Sequence, residues 1–339
     1  LDFLAISINT VFLELRQSGI PFSIKTIETE FLKKIGIPTN SFIVVEYAKI
    51  LDDKRKEIGI KSSLTSLIFR LDSFKKGLTF DDLTHNFYHS FLNYILDENL
   101  KRSYFNHLVS LLKVVCKDAV KNEVTTKTNF KYFTPLKSEA ENVYIPIKRI
   151  GEMYYYSNLT EQEIQARDIF VLACCLGLRF SDWKKVKREN ILDIKGQLIL
   201  SIKDQKRGNY LAVPLNLFPY SIPILEKYNY QLPTFRNDTF NDVIRGVAEK
   251  LDWIEPVQKT VYKKQVEVKD FRYCDLIGSH TARRSFVTNL KSRFSDSKIM
   301  KMTGHKSTKS FNIYDKQTAE ENAVLIAEET INTKLKIAK

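Results

Sequence analysis

Residues 279–290, SHTARRSFVTNL, carry the pattern from which the fold and the chemistry of this chain can be worked out. Helical periodicity predicts one helix through this stretch, with Ser279 as its N-cap. His280 and Arg283 are three residues apart, so such a helix places them on one face. Its buried stripe is predicted to consist of Phe286, Val287 and Leu290.

Two shorter elements follow in TGHKS and NIYDK. A helix formed by SKIMKMT is expected to end at Gly304, because glycine readily adopts the left-handed conformation that follows a helix. His305 then lies just past that helix end, where the backbone changes direction. Ser307 or Thr308 is expected to cap a further short helix that carries Tyr314.

Five side chains in these segments suit chemistry on a phosphodiester. Arg179 stands in CLGLRFSDW, roughly a hundred residues upstream, and the other four are His280, Arg283, His305 and Tyr314. Guanidinium groups donate paired hydrogen bonds to phosphate oxygens and stay charged. Histidine transfers protons near neutrality, whereas a phenol with a pKa of about 10 needs cations or a base to become a nucleophile. The set therefore predicts a cationic pocket in which a tyrosine attacks phosphate.

The charge of the chain points to a polyanionic partner. The net charge is +13 and the sequence pI is about 9.3. Residues 1–145 hold 20 Lys+Arg against 17 Asp+Glu, whereas residues 146–339 hold 33 against 23. The basic excess thus lies in the segment that carries the five side chains, which favours nucleic acid. No basic amphipathic helix or lipidation signal supports a membrane surface instead.

Cysteine and hydropathy patterns exclude several other classes. The four cysteines form no CxxC pair, and Cys174 and Cys175 lie in the apolar run IFVLACCLGL, which favours core packing and a reducing cytoplasm. His85 and His89 have helical spacing but lack an evident third metal ligand. No apolar run reaches the ~18 residues of a membrane span, and no secretory signal is evident.

The chain divides into four regions by pattern. Residues 1–37 are predicted to be helical, and residues 38–122 form an all-helical domain of four or five helices with short loops. Residues 123–145 lack steady periodicity and are predicted to be a linker. Residues 146–339 are expected to be mainly α-helical with small β-hairpins, an α+β arrangement. One hairpin covers 198–213, a second is formed by VQKTVYKKQVEVKDF, and a last amphipathic helix is AEENAVLIAEETINTKLKI.

The order R…HxxR…GH…Y, with nine residues from His305 to Tyr314, resembles the tyrosine recombinase (phage integrase) family. LGLRFSDW is similar to the family's TGLR-x-SE segment, and HTARRSFVTNL is similar to its HxLRHTFAT-type helix. The likeness covers roughly residues 146–325 and is greatest to integrases of Bacteroides-type conjugative transposons and related phages. Asp182 stands where the family often has Glu, which implies the same acidic supporting role.

The resemblance implies a domain plan. Residues 38–122 would be a SAM-like core-binding domain that clamps DNA opposite a catalytic domain at 146–339. Residues 1–37 would be the end of an arm-binding region, although a helical extension of the next domain explains the residues equally well. The last helix would pack on a neighbouring protomer; folding back on its own domain is the alternative.

The resemblance also implies a mechanism. Tyr314 attacks the scissile phosphate, forms a 3′-phosphotyrosine and releases a 5′-hydroxyl, and a Holliday junction follows. Lys206, on the hairpin, protonates the leaving oxygen, with Lys203 as the alternative. His280 acts as acid or base. The non-bridging oxygens are held by Arg179, Arg283 and His305.

Partners follow from the same likeness. The expected partners are double-stranded DNA at attachment or core sites, further copies of the chain forming a tetramer on synapsed DNA, and a DNA-bending accessory protein. No cofactor, metal or membrane is expected, and the protein would act at the nucleoid. A monomeric DNA-relaxing or end-resolving relative and a catalytically silent DNA-binding protein are the alternatives. Candidate DNA contacts are Lys54, Lys61, Lys75, Lys76, Arg207, Lys263, Lys264 and Arg284.

Overall fold

The computed structural model describes residues 2–17, 27, 30, 31, 34, 43–60, 64–139, 142–203, 210–314 and 323. The chain forms two compact units. The first comprises Leu1–Glu139 with Thr260–Glu267, and the second comprises Ala140–Lys259 with Val268–Lys339. Helices dominate and the sheets are small and antiparallel, which confirms the predicted fold class.

The first unit is helical, as its sequence pattern predicts. Thr84 caps the helix His85–Asp97 by accepting a hydrogen bond from the backbone N–H of Phe87. Apolar residues at helical spacing, among them Leu67, Leu71 and Phe91, fill the core. Most of residues 18–37, in the region predicted to be helical, lie outside the described residues. The described helices are α1 (Asp2–Gln17), α2 (Val44–Glu57), α3 (Leu64–Phe74), α4 (His85–Asp97) and α5 (Arg102–Lys121).

The predicted linker at 123–145 is divided between the two units. Its larger part, up to Glu139, belongs to the first unit and contains a 3₁₀ turn at Asn129–Tyr132. Phe130 of that turn is buried in the helical core. Ile145 belongs to the second unit and is fully buried there. The stretch therefore lacks hydrophobic periodicity because its backbone is irregular, although some of its side chains are buried in the two cores.

The second unit is built around α7 (Glu161–Leu176), whose residues from Ala166 to Leu176 are all buried. The run IFVLACCLGL thus forms the centre of the core, and Cys174 and Cys175 are packed there as predicted. α7 packs chiefly against two helices further along the chain, Ser279–Leu290 and Asn237–Lys250. The helices are α6 (Ile147–Tyr155), α7 (Glu161–Leu176), α8 (Ser221–Lys227), α9 (Asn237–Lys250), α10 (Ser279–Leu290), α11 (Asp296–Thr303) and α12 (Thr308–Asn312).

A three-stranded antiparallel sheet contains the predicted hairpin at 198–213. Its strands are β1 (Ile191–Ile194), β2 (Gln197–Lys203) and β3 (Tyr210–Pro214), in the order β1-β2-β3. β1 was not predicted. It turns into β2 through Lys195 and Gly196, both with positive φ, as a two-residue hairpin turn requires.

The second predicted hairpin is confirmed as β4 (Pro256–Tyr262) and β5 (Val266–Arg272). Its tip, Thr260–Glu267, belongs to the first unit. No helix in the described part of the chain is both long and apolar enough to span a membrane.

Candidate active site

The N-terminus of α10 is set by side chains of α9. Ser279 was predicted to cap this helix, and that prediction is wrong: Gly278 is the N-cap and Ser279 is the first helical residue. The Gly278 N–H donates to Thr281 Oγ1 at 3.1 Å. Ser279 N–H donates to Asn241 Oδ1 and its hydroxyl to Asn237 Oδ1, both at 2.7 Å. The two asparagines that bind Ser279 lie about forty residues upstream, so helical spacing alone does not reveal them.

Arg283 is fully buried, with 0% of its surface exposed. Its Nη1 donates to the carbonyl of Gly177 at 2.8 Å, just past the end of α7. Its Nη2 donates to the carbonyl of Thr303 at 2.6 Å, in the last turn of α11. The guanidinium therefore holds together two helix ends whose carbonyl groups lack helical partners. This arrangement fixes the position of its charge.

Gly177 is required both by its backbone and by its packing. Its φ is +62°, a left-handed conformation that ends α7. A Cβ at this position would lie 2.3 Å from Cδ1 of Phe286, on α10. The glycine of CLGLR thus allows α7 and α10 to approach closely. The close approach brings the Gly177 carbonyl to Arg283.

His305 follows α11, which ends at Gly304 with φ +72° as predicted. The Thr303 hydroxyl donates to the Ile299 carbonyl at 2.8 Å and lies 2.7 Å from His305 Nδ1. Since the Thr303 proton is already used, the network assigns the His305 proton to Nδ1. Nε2 is then an acceptor, 3.4 Å from Nη2 of Arg283. His305 is thus buried and directed at the arginine.

Tyr314 lies just past α12, not within it as predicted. Ser307 caps this helix, accepting from Ser310 N–H, as one of the two predicted caps. The Tyr314 N–H donates to the Phe311 carbonyl at 2.8 Å, and Thr288 of α10 donates to the Tyr314 carbonyl at 3.1 Å. The backbone of the tyrosine is therefore hydrogen-bonded to the helix that carries His280.

The phenol of Tyr314 lies among the other predicted side chains. Its hydroxyl is 3.0 Å from Nε2 of His280. The guanidinium carbon of Arg283 is 5.4 Å from the centroid of the phenol ring. The rings of His305 and Tyr314 are 4.8 Å apart. A phenol, an imidazole and a fixed positive charge are thus together in the second unit.

The side chain of His280 is exposed on one side, and three arginines are near enough to act on its charge. Desolvation, followed by the charges of Arg284, Arg283 and Arg179, lowers the pKa of His280 below its usual value. The ring is therefore neutral at pH 7, and its Nε2 can accept the proton of the Tyr314 hydroxyl. Arg179, half-buried at the start of the 3₁₀ helix Phe180–Lys185, is close enough to contribute to this shift.

Lys206 and its neighbour Arg207 lie outside the described residues. Lys203, the alternative, ends β2 with an exposed side chain. Asp182 is completely buried, and its Oδ1 pairs with Nζ of Lys185 at 2.9 Å. Sequence reasoning missed Lys185. The only signal was its spacing of three residues from Asp182.

The predicted DNA contacts of the first unit differ in their surroundings. Lys54 and Lys76 are exposed, whereas Lys75 pairs with Asp82 at 2.9 Å. Lys264 pairs with Asp97 at 2.5 Å. Lys263 is partly buried, and its carbonyl oxygen accepts a hydrogen bond from Nε of Arg102 at 2.8 Å. Lys61 lies outside the described residues.

Arg284 is partly buried in the second unit. Its Nε donates to the Val143 carbonyl at 3.0 Å and its Nη2 donates to Thr281 Oγ1 at 2.9 Å. These bonds direct the guanidinium inward, where its charge acts on His280. Among the described residues, no group of three or more His, Cys, Asp or Glu side chains is placed to hold a metal ion.

Comparison with known proteins shows a similarity of residues 42–138 to one family and a fold shared with several solved structures. Residues 42–138 match the family described as Phage integrase SAM-like domain. A search of curated proteins by sequence finds no match.

Several solved structures share the fold. A lambda integrase dimer bound to a COC′ core site is 16% identical, with a TM-score of 0.60 over 79% of this chain and 95% of that one. A lambda integrase tetramer bound to a Holliday junction is 18% identical, with a TM-score of 0.57 over 80% and 75%. The Tn1549 transposon integrase in complex with transposon right end DNA is 12% identical, with a TM-score of 0.60 over 85% and 99%. Residues 42–138 are therefore similar to a phage integrase SAM-like domain, and the chain shares its fold with these integrases.

Proposed function

We propose that this chain is a site-specific DNA recombinase that cuts and rejoins DNA through a covalent 3′-phosphotyrosine at Tyr314. The observation that carries the proposal is the position of the phenol, with its hydroxyl 3.0 Å from Nε2 of His280 and its ring over the buried guanidinium of Arg283. A neutral imidazole and a fixed cation are the two groups that a phenol needs to attack phosphate.

The cleavage step balances with the side chains of this chain. The Tyr314 hydroxyl gives its proton to His280, and the phenolic oxygen forms a bond to phosphorus. The bond from phosphorus to the 5′ oxygen breaks, and Lys206 protonates that oxygen. Arg179 and Arg283 neutralise the charge that develops on the non-bridging oxygens, with about 2.7–4 kcal/mol lost for each such donor removed. A 5′-hydroxyl of a partner strand reverses the step, so no ATP is consumed.

Assembly and biological setting belong to the same proposal. Proteins with this fold have been solved on a core site, on a Holliday junction as a tetramer, and on transposon right end DNA. We infer that this chain acts as a tetramer on two synapsed DNA sites, as the integrase of a mobile element of the conjugative-transposon type. The net charge of +13 favours binding to the duplex backbone. A DNA-bending protein would assist synapsis.

A suicide substrate tests the proposal. A duplex that contains the junction sequence flanking the gene, nicked close to the cleavage position, loses the 5′-hydroxyl fragment and traps the covalent intermediate. The wild-type protein should form an adduct that resists denaturant, and Tyr314→Phe, which keeps the ring and loses only the nucleophile, should form none.

The alternatives give different results in the same experiments. A silent DNA-binding protein shifts the duplex in a gel but forms no adduct. A monomeric relaxing enzyme forms the adduct and relaxes supercoiled plasmid without recombinant product. Adduct formation together with exchange between two sites supports the recombinase.

A further inference from the structure

We propose that Arg284 is a positioning residue that keeps the imidazole of His280 uncharged, and so able to take the Tyr314 proton, while a DNA phosphate occupies the site. This role rests on the proposed function and deepens it, since it names the group that sets the pH range of the cleavage step. The motif R…HxxR…GH…Y does not include this arginine, and the sequence predicts only a DNA contact for it.

Two hydrogen bonds to the protein fix the guanidinium of Arg284. Its Nε donates to the Val143 carbonyl at 3.0 Å, and its Nη2 donates to Thr281 Oγ1 at 2.9 Å. The Thr281 hydroxyl oxygen also accepts from the N–H of Gly278, the N-cap of α10, at 3.1 Å. The charge of this partly buried arginine therefore has a defined position at the first turn of α10, which a mobile surface arginine lacks.

The carbonyl that accepts from Arg284 belongs to a segment that is itself held against α10. Ile145, two residues beyond Val143, is fully buried, and its N–H donates to Ser285 Oγ at 2.8 Å. Its carbonyl accepts from Nδ2 of Asn289 at 2.9 Å. The segment therefore lies along α10, and the guanidinium is bound both to that segment and to the helix.

Charged or titratable groups face His280 from three elements: Arg283 and Arg284 on α10, Arg179 at the start of the 3₁₀ helix, and Tyr314 beyond α12. His280 and Arg284 are four residues apart, on one face of α10. Desolvation lowers the pKa of His280 most, and the charges of Arg284, Arg283 and Arg179, in that order, lower it further. Arg284 is therefore the strongest of the three charges that oppose protonation of the imidazole.

Bound DNA alters the balance of charge at His280. A phosphate beside the ring favours the imidazolium, because an opposite charge raises the pKa of a histidine. An imidazolium has no free nitrogen to accept the phenol proton. Arg179 and Arg283 are the proposed ligands of the same phosphate, so their charges are compensated when it binds. Arg284 binds protein groups instead, and burial lowers its own pKa only to about 10, so it stays protonated near neutrality and continues to oppose the phosphate.

The pH dependence of adduct formation tests this role. The nicked suicide duplex is used from about pH 5 to about pH 8 at constant ionic strength, and each rate is divided by the rate of the same preparation at about pH 8. Loss of the Arg284 charge raises the pKa of His280, so the base is lost at higher pH. Arg284→Gln should therefore move the acidic midpoint upward by on the order of 0.5 pH unit, the effect of a unit charge at roughly 6 Å in water. Below the midpoint this is about a 3-fold loss of relative rate.

Two more substitutions at Arg284 separate charge from packing. Arg284→Met also lacks the charge, and its aliphatic chain keeps much of the packing of the arginine stem, so it should give the same upward movement. Arg284→Lys keeps the charge and should hold the midpoint close to that of wild type.

Arg245 on α9 offers a matched control. It is partly buried, its Nε donates to the Ile277 carbonyl at 3.1 Å, and its Nη1 pairs with Asp242 at 3.1 Å. Ile277 directly precedes Gly278, the N-cap of α10, so Arg245→Gln removes a comparable bond beside the same helix end. The charge of Arg245 is not one of those that lower the pKa of His280, so the midpoint should stay at the wild-type value.

Three results would overturn the role of Arg284 while adduct formation by wild type still supports the recombinase. The first is a wild-type midpoint in both Arg284→Gln and Arg284→Met. The second is an equal movement in Arg245→Gln, which would trace the effect to loosening of α10. The third is loss of adduct at every pH in both neutral variants, which would show that the arginine is needed for more than its charge. Failure of wild type to form adduct at any pH overturns both proposals.

Discussion

Replacement of Gly177 by alanine should destabilise the second unit more than the same change at Gly196. Both glycines have positive φ, +62° and +78°. A Cβ at Gly196 meets nothing within 4 Å, whereas at Gly177 it would lie 2.3, 2.6 and 2.8 Å from three ring carbons of Phe286. The two variants share the backbone strain and differ in the steric overlap.

The expected free energies follow from these distances. A left-handed conformation costs an L-residue about 1–2 kcal/mol, and reduced freedom of the unfolded chain returns about 0.4–1 kcal/mol. Gly196→Ala should therefore lower the free energy of unfolding by about 0–1.6 kcal/mol. At Gly177 the Phe286 ring must move by roughly 1 Å to reach ordinary contact distance, and overpacking of this kind adds about 1–3 kcal/mol.

Tryptophan fluorescence during denaturant unfolding measures this difference. The only two tryptophans, Trp183 and Trp253, both lie in the second unit and are 8% and 3% exposed. Their emission therefore reports unfolding of the unit that contains both glycines. At an unchanged m-value, the shift in midpoint gives the change in the free energy of unfolding.

Equal destabilisation by the two substitutions would refute a steric role for Gly177, because it would show that the Phe286 ring can move away from the added methyl group at no cost in free energy. The Gly177→Ala variant should also lose adduct formation. The Gly177 carbonyl accepts a hydrogen bond from Arg283, and relief of the clash must separate α7 from α10.

Four further predictions concern the site. Arg283→Ala should abolish adduct formation and lower the free energy of unfolding by about 3–6 kcal/mol, since two hydrogen bonds from a charged donor are lost at about 1.5–3 kcal/mol each. Arg179→Ala should abolish adduct formation while binding in a gel-shift assay persists. Cleavage by either variant would contradict the role given to that arginine. Because the pKa of His280 is lowered, the imidazole stays neutral to lower pH than a free imidazole does. The rate of adduct formation should therefore decrease on acidification with a midpoint below about pH 6.5. A midpoint above that value argues against His280 as the base. Adduct formation should be unaffected by EDTA, and a strict need for a divalent cation would exclude the mechanism.

Local pattern was sufficient for much of the fold. The helix at 279–290, the left-handed end at Gly304 and the cap at Ser307 follow from periodicity and from residue preferences within a few positions. The hairpin β2–β3 follows from alternation in the same way. The DNA-facing roles given to individual lysines remain predictions.

Local pattern failed where the partner is distant in the chain. Ser279 has the chemistry of an N-cap, but Asn237 and Asn241 of α9 engage it and leave the cap to Gly278. β1 was missed because a four-residue strand has too little alternation to be distinguished from a loop. Tyr314 falls outside α12 because the backbone after that helix bonds to Thr288.

The amino-acid sequence by itself determined which groups are available and in what order: two arginines, two histidines and a tyrosine in a basic half of the chain. Only the tertiary structure decided that Arg283 would be buried between two helix ends, that the Tyr314 hydroxyl would meet His280, and that the Val143 carbonyl would hold Arg284. These contacts join residues about 20 to 141 positions apart, so they depend on how helices and strands pack and not on local spacing.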